Sequence, residues 1–167
     1  MDEILEEFKL ESEEILDEML TLLEEVEEDP TLNPKLEDFG QRVDRIMGSS
    51  SVLAMQNPSP LLANITIYSE LCKLIGYKCS QVDGNSELSK ITVAFLLDAT
   101  EMLQDFIQGL GQVPEPSIKE ALNEAFKSRL QMIAGKFDEN LRASVSSSTL
   151  SNKTTQSQID DLFEKLK

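Results

Sequence analysis

The chain has 167 residues, with 31 acids against 15 bases, a formal charge of −16, and neither histidine nor tryptophan. That balance argues against nucleic acid and anionic membrane as partners. No apolar run approaches the length of a membrane span, and the acidic start is unlike a signal peptide, so one cytoplasmic domain with a tail is expected. Cys72 and Cys79, with no histidine to join them, make a poor zinc site and fit a reduced compartment.

Residues 2–28 read as a long amphipathic helix. Leu5, Phe8, Ser12, Ile15, Met19, Leu22 and Val26 recur at alternating spacings of 3 and 4. Acids at Asp2, Glu3, Glu6 and Glu7 suit the helix start, the run from Glu24 to Asp29 works against its end, and Pro30 stops it. Residues 1–29 hold 14 acids and one lysine, a segment charge of −13. This is either a solvated helix face or a surface that steers a basic partner.

Asn33-Pro34 is expected to cap and open a second helix that runs to about Met55. Leu36, Phe39, Val43, Ile46 and Leu53 form its apolar face, with Ser50 in the same row. At about 100° per residue, Gln41, Asp44 and Gly48 fall on the opposite side. The helix thus presents an amide, a carboxylate and a glycine outward, and Gly48-Ser-Ser-Ser allows another surface to come close.

Ser59-Pro60 repeats the cap and opens a third helix with Leu61, Leu62, Ile65, Tyr68, Leu71, Cys72 and Ile75 inward, followed by a loop from Gly76 to Asn85. Ser86 starts a fourth helix, ended by Gly111 and Pro114. Its Asp98, Glu101, Asp105, Gln108 and Gln112 make one polar stripe, which as such reads as a solvated face. Ser117-Ile-Lys-Glu120 has capping-box spacing for a fifth helix, with Ile118, Leu122, Ala125, Leu130, Ile133 and Phe137 apolar. The expected fold is all-α, an up-down helical bundle over residues 1–140. A Ser/Thr-rich flexible linker is expected over 141–156, and a short amphipathic helix over 157–167, capped by Ser157 and striped by Ile159, Leu162, Phe163 and Leu166. That last segment is either a recognition helix on a tether or a terminal helix folded back on its own domain.

The stretch Val43-Asp44-Arg45-Ile46-Met47-Gly48-Ser49 resembles the phosphotransfer helix of histidine phosphotransfer (HPt) domains, in particular the N-terminal domain of the chemotaxis kinase CheA. The family pattern is apolar-x-x-Ala-His-x-apolar-Lys-Gly-Ser/Gly. Gly48 and Ser49 match it, Asp44 stands in the place of the histidine and Met47 in that of the lysine. The resemblance extends from about residue 5 to 135. It implies a four-helix core plus a fifth helix, with Glu70 at the position of the third-helix glutamate that hydrogen-bonds the family's histidine. The carrier chemistry itself is gone.

Gln158-Ile159-Asp160-Asp161-Leu162-Phe163 is similar to the C-terminal segment of the chemotaxis phosphatase CheZ and the N-terminal segment of the flagellar switch protein FliM, both of which bind the response regulator CheY. That likeness implies a CheY-like receiver as partner, contacted by Ile159, Asp160, Asp161, Leu162 and Phe163. Residues 97–112 also resemble the catalytic helix of CheZ, with Gln112 matching the catalytic glutamine and Gln108 standing where the aspartate belongs.

These resemblances imply two functions. In the first, the chain docks on the receiver as an HPt domain does, with Gly48 at the contact, and Gln41 and Asp44 promote loss of phosphate from its aspartate. The amide orients a water and the acid pairs with the receiver's lysine; the alternative group is Asp105 with Gln108 or Gln112. In the second, the chain is a non-catalytic adaptor that tethers or sequesters the receiver. A purely structural helical protein is the third reading. The chain is expected to carry no metal or cofactor of its own, with Mg²⁺ on the receiver, and a homodimer stays open.

Overall fold

A computed structural model describes residues 3–138, 140–141 and 155–166, and these are all-helical. The elements are α1 (Glu3–Glu28), a 3-10 segment (Pro30–Lys35), α2 (Leu36–Gln56), α3 (Pro60–Ser80), α4 (Ser86–Gln108), a single turn α5 (Ile118–Ala121), α6 (Glu124–Ala134) and α7 (Thr155–Lys165). Helix α1 packs on α2 and α4, and α3 packs on the same two, so the four long helices close a ring. Pairs across the α2–α3 interface run in opposite order along the two helices, Asp44 with Lys73 and Ser50 with Thr66, which makes them antiparallel.

The apolar stripes read from the sequence meet in the centre of this ring. Met19, Leu23, Val43, Ile46, Ile65 and Leu96 are each 0% exposed. Burying one such side chain contributes about 1.5–3 kcal/mol. Tyr68 is buried with them, and its hydroxyl donates to the Ala99 carbonyl at 2.6 Å, so the ring enters the core without stranding its polar end.

Several element ends differ from the sequence expectation. Asn33 does not cap α2; its Nδ2 donates to the Cys79 and Val82 carbonyls, both at 2.8 Å, and so ties the 3-10 segment to the end of α3. Gly76 does not end α3, which continues to Ser80; the glycine instead leaves room for the Phe39 ring, which occupies the space a side chain would take there. The fifth helix is two pieces. Ser117 caps the first, and Asn123 accepts from the Phe126 N–H at 2.9 Å and starts the second, so the break falls at Leu122-Asn123. Ser59 caps α3 as expected, accepting from the Leu62 N–H, and its hydroxyl donates to Glu115 at 2.7 Å.

Helix α7 is folded back on the bundle. Ile159, Leu162 and Leu166 are buried, and Leu162, Phe163 and Leu166 pack around Ile67, Tyr68 and Leu71 of α3. Ser157 lies inside this helix rather than at its start. The expected linker, apart from its two ends, lies outside the described residues.

Candidate functional site

The outward side of α2 carries the residues singled out from the sequence. Gln41 and Gly48 are exposed, and the Asp44 side chain is 39% exposed. A methyl group added at Gly48 would meet nothing within 4 Å, so a neighbouring backbone can approach that point closely. Gln41 and Asp44 are one turn apart on a rigid helix.

Asp44 has a partner that sequence reasoning missed. Its carboxylate lies 2.5 Å from the ammonium of Lys73 on α3, whose side chain is only 16% exposed. The Lys73 ammonium in turn stands 5.9 Å from the centre of the Tyr77 ring, at the outer edge of cation–π range. The Tyr77 ring fills the space over Gly40, where an added Cβ would lie 2.6 Å from it. The same exchange occurs in reverse at Gly76, where an added Cβ would lie 2.6 Å from Phe39. Each helix thus offers a glycine to an aromatic ring of the other. Gly40, Tyr77, Lys73 and Asp44 form one continuous contact from the helix interface to solvent.

The electrostatics follow from this packing. Burial, and then the negative charges of Asp44, Glu37 and Asp38, push the Tyr77 phenol up to about 12. Arg42 and Arg45, which flank Asp44, are drawn instead toward α1, to Glu18 at 2.8 Å and Glu11 at 3.6 Å. Glu70 is exposed on α3, and the register set by the two cross-helix pairs puts it level with Met47. The α3 residue that meets Asp44 is therefore Lys73, not Glu70. Gly40 and Asp44 are four apart on one helix, and Lys73 and Tyr77 are four apart on the next, so each pair shares a face, but only the register of the two helices brings the faces together.

Beyond Gly48 the outward face turns apolar. Val52 is 55% and Met55 82% exposed, with Ile4 of α1 at 51%. A shallow groove of about 380 Å³ runs between α1 and α2, lined among others by Ile4, Glu7, Glu11, Gly48 and Val52.

The alternative group on α4 is less well assembled. Asp105 and Gln108 are exposed on this helix, and Asp98 is bound by Arg129 at 2.6 Å. Gln108 is the last residue of α4 and borders a small groove of about 160 Å³ against α1, together with Lys9 and Gln104. Gln112 does not continue the stripe. The helix has ended and Gly111 has turned the chain at φ 83°, so Gln112 is not one helical turn from Gln108.

In α7, Asp160 is exposed, Asp161 and Phe163 are half-buried, and the Lys127 ammonium lies 5.2 Å from the Phe163 ring centre. Ile159 and Leu162, expected to contact a partner, are both buried in the chain itself, Leu162 against α3. The Gln156 amide donates to the Gln131 carbonyl of α6 at 3.2 Å.

Among the described residues no group of three or more histidine, cysteine or acidic side chains could hold a metal ion, and no helix is long and apolar enough to cross a membrane. Cys72 and Cys79 are buried free thiols, each pushed up to about 12 by burial, which leaves them poor nucleophiles. In chemical terms the α2 face offers an exposed amide that can orient a water molecule and a carboxylate already answered by one ammonium. No protein-family model, curated protein or solved structure matches this chain.

Proposed function

We propose that the chain is a regulator of CheY-like receivers: a degenerate phosphotransfer module that lays the outward side of α2 over the receiver's phosphorylated aspartate and speeds its hydrolysis. The observation that supports this reading is the shared, accessible placement of Gln41 and Asp44 beside an open Gly48. The resemblance to HPt domains supplies the pose. The apolar patch of Val52, Met55 and Ile4 next to it fits a face that is covered by a partner.

The reaction needs little from this chain. Water attacks phosphorus in line, the P–O bond to the receiver's aspartate breaks, and inorganic phosphate leaves. The Gln41 carbonyl accepts a hydrogen bond from the attacking water and aims its lone pair. Asp44 pairs with the receiver's lysine through its second oxygen while Lys73 engages Oδ1. The metal that balances phosphoryl charge belongs to the receiver. Hundredfold acceleration over the receiver's own hydrolysis requires about 2.7 kcal/mol, within reach of positioning alone.

One observation favours the second reading, a non-catalytic adaptor. In the family pattern a histidine is met by a glutamate from the third helix; here a carboxylate is met by a lysine, so the charge at the carrier's position is answered within the chain. Substoichiometric chain mixed with phosphorylated receiver separates the two. A phosphatase releases many equivalents of phosphate, whereas an adaptor leaves the decay unchanged or slows it in proportion to the amount added.

A further inference from the structure

We infer that the surface of α3 and α6 beneath α7 is a helix-binding groove that α7 occupies reversibly, so that α7 exchanges between this groove and any external partner that reads the same side chains. The groove is built from Ile67, Tyr68 and Leu71 of α3, with Lys127 over Phe163 and the Gln131 carbonyl on the α6 side. Its occupant is a helix of 11 residues, shorter than a stable isolated helix, joined to α6 through a segment that includes residues 142–154. Docking is therefore an intramolecular binding event set by effective concentration.

Two features mark this contact as one that opens. Among the described residues, helix α7 packs chiefly on α3 and α6, while α1 to α4 close their ring through contacts with one another. Docking also buries Thr155 Oγ1 and Gln158 Oε1 without a hydrogen-bond partner among the described residues, a cost that undocking returns by giving both atoms to water. Ile159 and Leu162, the residues whose pattern resembles a receiver-binding segment, are the ones the groove hides. Self-docking and partner capture are then mutually exclusive, and the groove acts as a latch on the tail. That the partner is a receiver rests on the function proposed above; the groove and its exchange do not.

The test uses the full chain and a fluorescein-labelled synthetic peptide of residues 155–167, with binding read by anisotropy. In the Ile159→Asp/Leu162→Asp chain the resident helix loses its apolar stripe and the groove is vacant. The peptide is expected to bind this variant at least tenfold more tightly than the unmodified chain, and adding Ile67→Glu in the groove is expected to remove binding. Equal, weak binding to the unmodified and the vacated chain overturns the inference. Hydrogen exchange on the unmodified chain guards against a variant that misfolds: α7 amides exchange at least 100-fold faster than those of α2 and α3 if the latch opens, and equal protection overturns it. In a parallel titration with a CheY-like receiver domain, Ile67→Glu alone releases the tail and is expected to tighten binding at least fivefold; unchanged receiver affinity overturns mutual exclusion. A receiver that binds neither chain sinks the receiver reading, while the peptide data still decide the groove.

Discussion

The Asp44 carboxylate and the Lys73 ammonium stand 2.5 Å apart across the α2–α3 interface, with Lys73 largely covered and Asp44 more than a third exposed. The pair lies at the boundary of solvent, where Coulomb attraction is screened and ordering two side chains offsets part of the gain. A double-mutant cycle of Asp44→Ala and Lys73→Ala, measured by urea unfolding, is expected to give a coupling of about 0.5–1 kcal/mol. The coupling should shrink as salt shortens the screening length. Zero coupling at low salt would mean that Asp44 is held by something else.

Three glycines in α2 and α3 are expected to respond to alanine with different signs. Alanine in an open helical position stabilises by roughly 0.5–1 kcal/mol relative to glycine. Gly48 has that open space, so Gly48→Ala should raise stability. At Gly40 and Gly76 the added methyl would meet the rings of Tyr77 and Phe39 at 2.6 Å, and both rings are buried. Gly40→Ala and Gly76→Ala should lower stability by about 1–3 kcal/mol, as overpacking does. Denaturant midpoints of the three variants check this. Under the proposed function Gly48→Ala carries a second signature, a weaker hold on the receiver in a more stable protein.

Stability is expected to fall on the alkaline side, starting near pH 9. Cys72 and Cys79 are pushed from 9.0 to about 12 by burial, so between those values the folded chain keeps protons that the unfolded chain releases. Stability then decreases as pH rises, by up to about 1.4 kcal/mol per pH unit for each thiol. Tyr77, raised from 10.0 to about 12, and Tyr68, also raised, add to the fall above pH 10. Lys78 works in the opposite sense. It is 2% exposed, its ammonium donates to the Leu141 carbonyl at 3.0 Å, and burial lowers its pKa from 10.5, so it sheds its proton earlier in the folded state and stability gains from that loss. Urea unfolding at pH 7, 9 and 10 should show the decline, and Cys72→Ala/Cys79→Ala should flatten it between pH 9 and 10 from a lower starting stability. A flat profile in the unmodified chain would contradict burial of the thiols.

Much of the bundle was legible in the sequence because its apolar residues keep helical spacing for five turns or more, and because Ser59-Pro60 and Pro30 punctuate the chain without ambiguity. What was not legible involved residues with two uses. Gly76 looks like a helix stop when only its backbone freedom is considered; in the fold it makes room for Phe39. Asn33 looks like a cap, yet its amide serves the Cys79 carbonyl of α3 and the Val82 carbonyl just beyond that helix. Asn123 is indistinguishable in composition from a polar helix residue until its side chain is seen capping α6. At the site, the exposure of Gln41, Asp44 and Gly48 followed from angle alone, whereas Lys73 did not, because pairing across two helices depends on a register that no local pattern encodes. The sequence left the tail either tethered or folded back, because its apolar stripe serves both; docking is decided by Leu162, Phe163 and Leu166 meeting an apolar strip on α3, which no local pattern announces.

The most direct measurement is the initial rate of phosphate release from a phosphorylated CheY-like receiver with a catalytic amount of the full chain, compared among the unmodified protein, Gln41→Ala, Asp44→Ala and Asp105→Ala. The proposed function predicts a release rate about 100-fold above the receiver alone, equivalent to about 2.7 kcal/mol, lost in Gln41→Ala and Asp44→Ala and kept in Asp105→Ala. A rate no faster than the receiver's own, or one abolished by Asp105→Ala and untouched by the two α2 variants, would contradict it.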